Sequence, residues 1–268
     1  MPAFNPLLHE IRLFFIALQF FTRLPVPRWV GFDADWLQQC ARYFPLVGLL
    51  VGAVSAGMLW ASGFLWTSTI AVGLSMAATV LLTGAFHEDG WADTCDGLGG
   101  AVSREKSLQI MKDSRIGSYG TVGLILMLGL KAAALVSLAD TDLETCMIVM
   151  VWAHMASRLA PVWMMHGLPY AGDAEHAKAK PLATRIGGAG LMAGSVMVLV
   201  AGALATWWLP ELLPLLCGSA LVGAGLCLAM QSWLERRLGG YTGDNLGAVQ
   251  QVVELSILLT ALALWDVF

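Results

Sequence analysis

Charge is scarce in this chain. Of its 268 residues only 13% are charged, while 57% are hydrophobic and the mean hydropathy is +0.70. That excludes an ordinary soluble domain and fits a polytopic membrane protein. Cysteines are few and unpatterned. Cys40, Cys95, Cys146, Cys217 and Cys227 lack metal-ligand spacing and are odd in number. They read as buried free thiols rather than a disulfide frame. Repeats and low-complexity tracts are absent, so residues 1–268 read as one integral-membrane domain. No signal peptide is expected, because the apolar run 13–21 is short, is broken by Gln19 and lacks a small-residue cleavage site. The net charge of −4 decides little, since the charges are segregated by position. Nucleic acid is not expected as a partner.

What the chain has in abundance is long apolar runs. Crossing the hydrocarbon core takes about 20 mostly apolar residues. Seven segments qualify: 43–61, 65–86, 118–138, 145–165, 189–209, 211–233 and 246–268. Residues 10–22, bounded by Arg12 and Arg23, are too short and are expected to lie in the interface or re-enter. The expected fold is all-α, a transmembrane helical bundle of about seven spans plus that N-terminal helix. Lys and Arg fall in alternate loops: 23–42, 87–117, 166–188 (Lys178, Lys180, Arg185) and 234–245 (Arg236, Arg237). Loops 62–64 and 139–144 and position 210 carry none. The positive-inside rule therefore places the four basic loops in the cytoplasm and the C-terminus outside. Gly48 with Gly52, and Gly190 with Gly194, have the spacing of close helix–helix packing.

Chemistry concentrates in the loop 87–117. Residues 88–96, Glu-Asp-Gly-Trp-Ala-Asp-Thr-Cys-Asp, set four carboxylates in nine positions. On a helix Asp89, Asp93 and Asp96 share one face, with Glu88 off that stripe. Like charges so close repel, and a divalent cation among them, Mg²⁺, is the simplest remedy. Glycines 97, 99 and 100 follow, then Arg104, then Met111-Lys112-Asp113-Ser114-Arg115-Ile116-Gly117. Carboxylates for metal, cations for phosphate oxygens and glycines for close backbone approach are the layout of a phosphoryl-transfer site. The bland reading is a solvated charged loop. A second glycine-rich turn, 239–247, precedes the last span, and its N–H groups suit an anion. There Asp244 is either a metal or ribose ligand or an N-cap. Inside the spans lie Lys131, His154, Arg158 and Glu254. Charges at such depth are usually paired or functional.

The run from His87 to Gly120 closely resembles the cobalamin synthase family, the adenosylcobinamide-GDP ribazoletransferases. Leu18-Gln-Phe-Phe-Thr22-Arg23-Leu24-Pro25-Val26-Pro27, Arg42-Tyr43-Phe44-Pro45-Leu46-Val47-Gly48 and Gly240-Tyr241-Thr242-Gly243-Asp244 resemble its other signatures. Asn245 departs from the pattern, and Gly172 to Lys180 does not align. The resemblance implies a Mg²⁺-dependent enzyme of the bacterial inner membrane with its active-site loops in the cytoplasm. The implied reaction joins adenosylcobinamide-GDP to α-ribazole or its 5′-phosphate and releases GMP. Glu88, Asp89, Asp93 and Asp96 would hold the metal, with Asp93 and Asp96 essential to catalysis. Lys112 and Arg115 would stabilise the phosphoryl oxygens, and Asp113 would be a ligand or base. Arg104, Ser114, Arg158, Tyr241, Thr242 and Asp244 would contact substrate. Besides substrates and the lipid bilayer, self-association or docking of another pathway enzyme stays open.

Two other classes fit less well. A CDP-alcohol phosphotransferase of phospholipid synthesis would show an Ala-Arg shortly after Asp-Gly and two later aspartates. Here Asp96-Gly97 is followed by no arginine until Arg104. A transporter would gather polar residues at the bilayer midplane on broken helices, whereas these gather at span ends.

Overall fold

The computed structural model describes residues 6–100, 103–172 and 185–265, and they are overwhelmingly helical. The helices are α1 (Pro6–Phe21), α2 (Ala34–Gln39), α3 (Phe44–Gly63), α4 (Ser68–Thr83), α5 (Phe86–Leu98) and α6 (Arg104–Met111). They continue with α7 (Ser118–Thr141), α8 (Leu143–Ser157), α9 (Leu159–Gly167), α10 (Gly188–Trp208), α11 (Leu213–Leu238) and α12 (Gly243–Trp265). Six helical stretches are long and apolar enough to cross a membrane, and the bent pair α4–α5 brings the number to as many as seven. The chain is a multi-pass membrane protein. Its N-terminal α1 has 16 residues, with Leu13, Ile16, Ala17, Leu18 and Phe21 buried against the bundle. Lys178 and Lys180 lie outside the described residues.

The expected span 65–86 is the main correction. It stops at Thr83, because Gly84 (φ 71°) and Ala85 (φ 59°) both take the left-handed conformation that ends a helix. A Cβ at Gly84 would also stand 2.8 Å from Arg23 Nε, so the arginine side chain would have to shift. The chain then turns by 88° into α5. The stretch 87–117, expected as a loop, is therefore mostly helical, and the acidic motif runs roughly across α4 rather than trailing from it. Likewise α11 carries on through Arg236 and Arg237, which complement the negative end of its dipole.

Helices α8 and α12 form the middle of the bundle, both largely buried. Gly48 and Gly52 of α3 lie directly on α8. A Cβ at Gly52 would be 2.8 Å from Val151 Cα, and one at Gly48 would overlap the His154 carbonyl. That is the close packing the glycine spacing predicts. Gly194 approaches Arg42 O, whereas Gly190 meets only the side chain of nearby Ile186.

The basic loops gather at one end. Arg23 N donates to Leu82 O at 2.8 Å, and Tyr241 N donates to Pro169 O at 3.1 Å. Arg104 Nε donates to Leu238 O at 2.7 Å, Arg237 Nη2 to Gly100 O at 3.0 Å, and Arg185 N to Gln38 Oε1 at 3.2 Å. Every motif singled out in the loops thus sits on the same end of the bundle.

Candidate active site

Helix α5 is wedged between α12 and α7 by glycines. At Gly90 a Cβ would come 2.7 Å from Asp244 O; at Gly247 one would come 3.2 Å from His87 O. At Gly120 it would come 2.5 Å from the Asp96 carboxylate and 2.9 Å from Ala92 O. These contacts put the turn containing Asp244 beside α5, between Asp89 and Asp93. Asp89 is exposed, and Asp93 and Asp244 are half-buried.

Asp96 reaches across to α7. Its two oxygens accept from Gly117 N and Gly120 N, each at 2.7 Å. Those are orphan donors of the first turn of α7, which has no side-chain cap of its own. A carboxylate from another helix caps α7 and meets its positive end. The basic segment 112–115 leads from α6 into this junction. In it, Asp113 accepts twice from Arg115, from Nε at 3.0 Å and from Nη2 at 2.6 Å. This bidentate pairing raises the arginine's pKa above its ordinary value. The arginine side chain is 87% exposed, so water and salt screen the pair strongly. Lys112 and Ser114 are exposed as well.

The 239–247 turn is largely self-satisfied. Asn245 Oδ1 accepts from Thr242 N at 2.9 Å, and Thr242 Oγ1 accepts from Asn245 N at 3.4 Å, a reciprocal capping box. Thr242, not Asp244, is the cap, and two of the N–H groups expected to hold an anion are already used. Asn245 Nδ2 donates to Thr94 Oγ1 at 3.0 Å and so ties α12 to α5. Tyr241 is fully buried, paired through its backbone with the 169–171 strand-like segment, and burial pushes its phenol pKa up.

Glu88 faces the opposite way, into the bundle. Its Oε1 accepts from Gln251 Nε2 at 3.2 Å. There the four charges of the spans meet. Lys131 Nζ lies 2.8 Å from Glu254 Oε1 and donates to Gln251 Oε1 at 2.8 Å. Glu254 Oε2 lies 3.1 Å from His154 Nδ1 and 4.0 Å from Arg158 Nη1, and it accepts from Gln250. Gln250 also donates to Ser157 Oγ at 2.9 Å, and Arg158 Nη1 to His154 O at 2.8 Å. His87 Nε2, Glu88 Oε2 and Arg158 Nε are buried without a hydrogen-bond partner among the described residues. All three residues line a cavity of about 20 Å³, room for a single water.

The expected site residues therefore divide. Asp89, Asp93, Asp96, Arg104, Lys112, Asp113, Ser114, Arg115 and Asp244 stand at the basic end. Glu88 and Arg158 lie inside the bundle. Thr94, Gln250 and Gln251 went unnoticed in the sequence, and Asn245 stood out only as a departure from the family pattern, although two adjacent glutamines three and four residues before Glu254 in an apolar span are a legible signal.

Fold and site together define a multi-pass membrane protein with an acidic helix laid across the span ends beside a basic, glycine-rich junction. The chain belongs to the cobalamin-5-phosphate synthase family, whose model matches residues 13–262. An adenosylcobinamide-GDP ribazoletransferase of Leptothrix cholodnii is 56% identical over 257 residues, covering 96% of this chain and 97% of the relative. Proteins of the same name from Shewanella amazonensis and Shewanella oneidensis are 42% identical (96% of this chain, 97% of the relative) and 44% identical (92% of each). No solved structure matches the chain.

Proposed function

We infer that this protein is a Mg²⁺-dependent transferase that joins adenosylcobinamide-GDP to α-ribazole, or to its 5′-phosphate, and releases GMP. The observation that carries the reading is the 56% identity to a relative of that name over 96% of the chain. The family match encloses α5, the 112–115 segment and the 239–247 turn. The positive-inside pattern supports a cytoplasmic basic end, where a nucleotide-activated substrate is at hand, and the family resemblance supports the bacterial inner membrane.

Asp89 and Asp93, one turn apart and beside the Asp244 backbone, suit Mg²⁺. Among the described residues no three His, Cys, Asp or Glu side chains converge on one point. Mg²⁺ commonly needs only one or two carboxylates, the remaining positions going to water and substrate phosphates. The chemistry Mg²⁺ supplies when bound is charge neutralisation on the pyrophosphate and a lower pKa for the attacking hydroxyl.

The chain's own residues do the rest. The 3′-hydroxyl of ribazole attacks the phosphorus joined to cobinamide, and the P–O bond to GMP breaks. Arg115, held only by a screened pair, exchanges Asp113 for phosphoryl oxygens, with Lys112 beside it. Asp113, relieved of Arg115, accepts the hydroxyl proton. Asp96 fixes the junction on which these groups stand.

The test is GMP release by purified, reconstituted protein given both substrates, with and without Mg²⁺. The expected result is metal-dependent GMP together with a complete cobamide. No GMP from folded, inserted protein would overturn the assignment.

A further inference from the structure

Between α5, the first turns of α7 and the last turns of α11 lies a second cavity, of about 450 Å³. Its volume is that of a small-molecule site. Trp91, Tyr119 and Trp233 wall it from three different helices, with Cys95 and Leu98 between them. Flat rings presented from several elements suit a flat aromatic ligand, which gains stacking as well as burial. Two glycines keep the space open. A Cβ at Gly123 would be 2.7 Å from Cys95 Sγ and 3.3 Å from Trp91 Nε1; one at Gly99 would be 2.8 Å from the Tyr119 ring.

The polar inventory narrows the occupant. Thr94 Oγ1 already accepts from Asn245. Trp91 Nε1 is buried against Gly123 and does not open onto the cavity. The rest of the wall is carbon and the Cys95 sulfur, apart from the exposed Ser118 and Tyr119. Guanine would bring several donors and acceptors into that lining, most of them left unpaired. A benzimidazole riboside brings one unsubstituted ring nitrogen, which only accepts. The position fits too: Ser118 and Tyr119 of the wall directly follow Gly117, whose N–H is held by Asp96.

We propose that this cavity is the subsite for the benzimidazole base of α-ribazole, stacked among Trp91, Tyr119 and Trp233. The proposal rests on the ribazoletransferase reading. It places the base on the α7 side of α5, and the ribose hydroxyl leaves the cavity toward the Asp96 junction.

Equilibrium dialysis of labelled α-ribazole, and separately of GMP, against nanodisc-embedded protein tests it. Trp233→Leu and Gly123→Ala alter opposite walls, so one variant that fails to fold does not remove the test. The expected result is α-ribazole binding weakened at least about tenfold by Trp233→Leu, the scale of one lost stacking contact. GMP binding and the KM for adenosylcobinamide-GDP stay within about twofold. Unchanged α-ribazole binding in both variants, or a parallel fall in GMP binding, overturns the proposal. Wild-type protein that binds α-ribazole in this cavity but releases no GMP would sink the transferase reading while leaving the subsite in place. Wild-type turnover with variants that bind α-ribazole normally would do the reverse.

Discussion

Outside α5 stand Asp89 and Asp93, and at the same end of the bundle an Asp113–Arg115 pair whose arginine is 87% exposed. Inside it, one residue from Asp89, Glu88 joins a network in which the side chains of Lys131, Arg158 and Glu254 are 8%, 2% and 3% exposed. Both regions hold acids facing bases at hydrogen-bonding distance, yet the physics differs. Exposed ions keep their water and exchange partners cheaply, as residues that must take hold of a phosphate require. Ions within a bundle lose several kcal/mol of hydration each, so they persist where fixed partners offset that loss. The outer region is suited to binding, and the inner one to holding α7, α8 and α12 in register behind it.

The comparison can be broken most sharply at Asp93. Asp93→Ala is expected to leave insertion and thermal unfolding unchanged while removing several kcal/mol of transition-state stabilisation, on the order of 10³-fold in GMP release. Near-normal turnover would show that the outer acids are not the reaction's. The inner region should answer in stability instead. Lys131→Met takes from Glu254 its 2.8 Å ion-pair partner and is expected to cost about 3 kcal/mol, read as a lowered unfolding midpoint in detergent. Adding Glu254→Gln should recover much of that loss; no recovery would mean that packing, not charge pairing, sets the cost. Gly90→Ala pushes α5 off α12 and should cost about 1–3 kcal/mol, with activity falling in step because Asp244 moves with it. Asp96→Asn, which keeps one good acceptor for two amides, should cost about 1 kcal/mol, unlike Asp93→Asn. Arg115→Ala, like Asp93→Ala, should leave the midpoint unmoved, with kcat/KM down at least about tenfold for the loss of one charged contact.

Much of this was visible in the chain. The apolar runs at 118–138, 145–165, 189–209 and 211–233 correspond to α7, α8 with α9, α10 and α11, because a span's length and hydropathy are local properties. Close helix packing at Gly48 and Gly52 also followed from spacing, though not that α8 is the partner. The break at Gly84–Ala85 did not, since alanine carries no mark of a left-handed backbone. Nor did the division of the carboxylates. Periodicity puts Asp89, Asp93 and Asp96 on one stripe, but a stripe does not say which neighbour each member meets.

The sequence by itself determined a multi-pass helical membrane protein, the end at which its basic loops gather, and the motif that places it in its family. Each of these depends on residues near one another in the chain, through hydropathy, charge and helical period. Only the tertiary structure decided that Asp96 caps α7 across 21 to 24 residues, or that Glu88 meets Gln251 across 163. It also decided that an acidic helix parts an exposed face from a buried one. Those partners are chosen by how helices pack through glycines onto one another, and packing is a property of the whole bundle rather than of any segment within it.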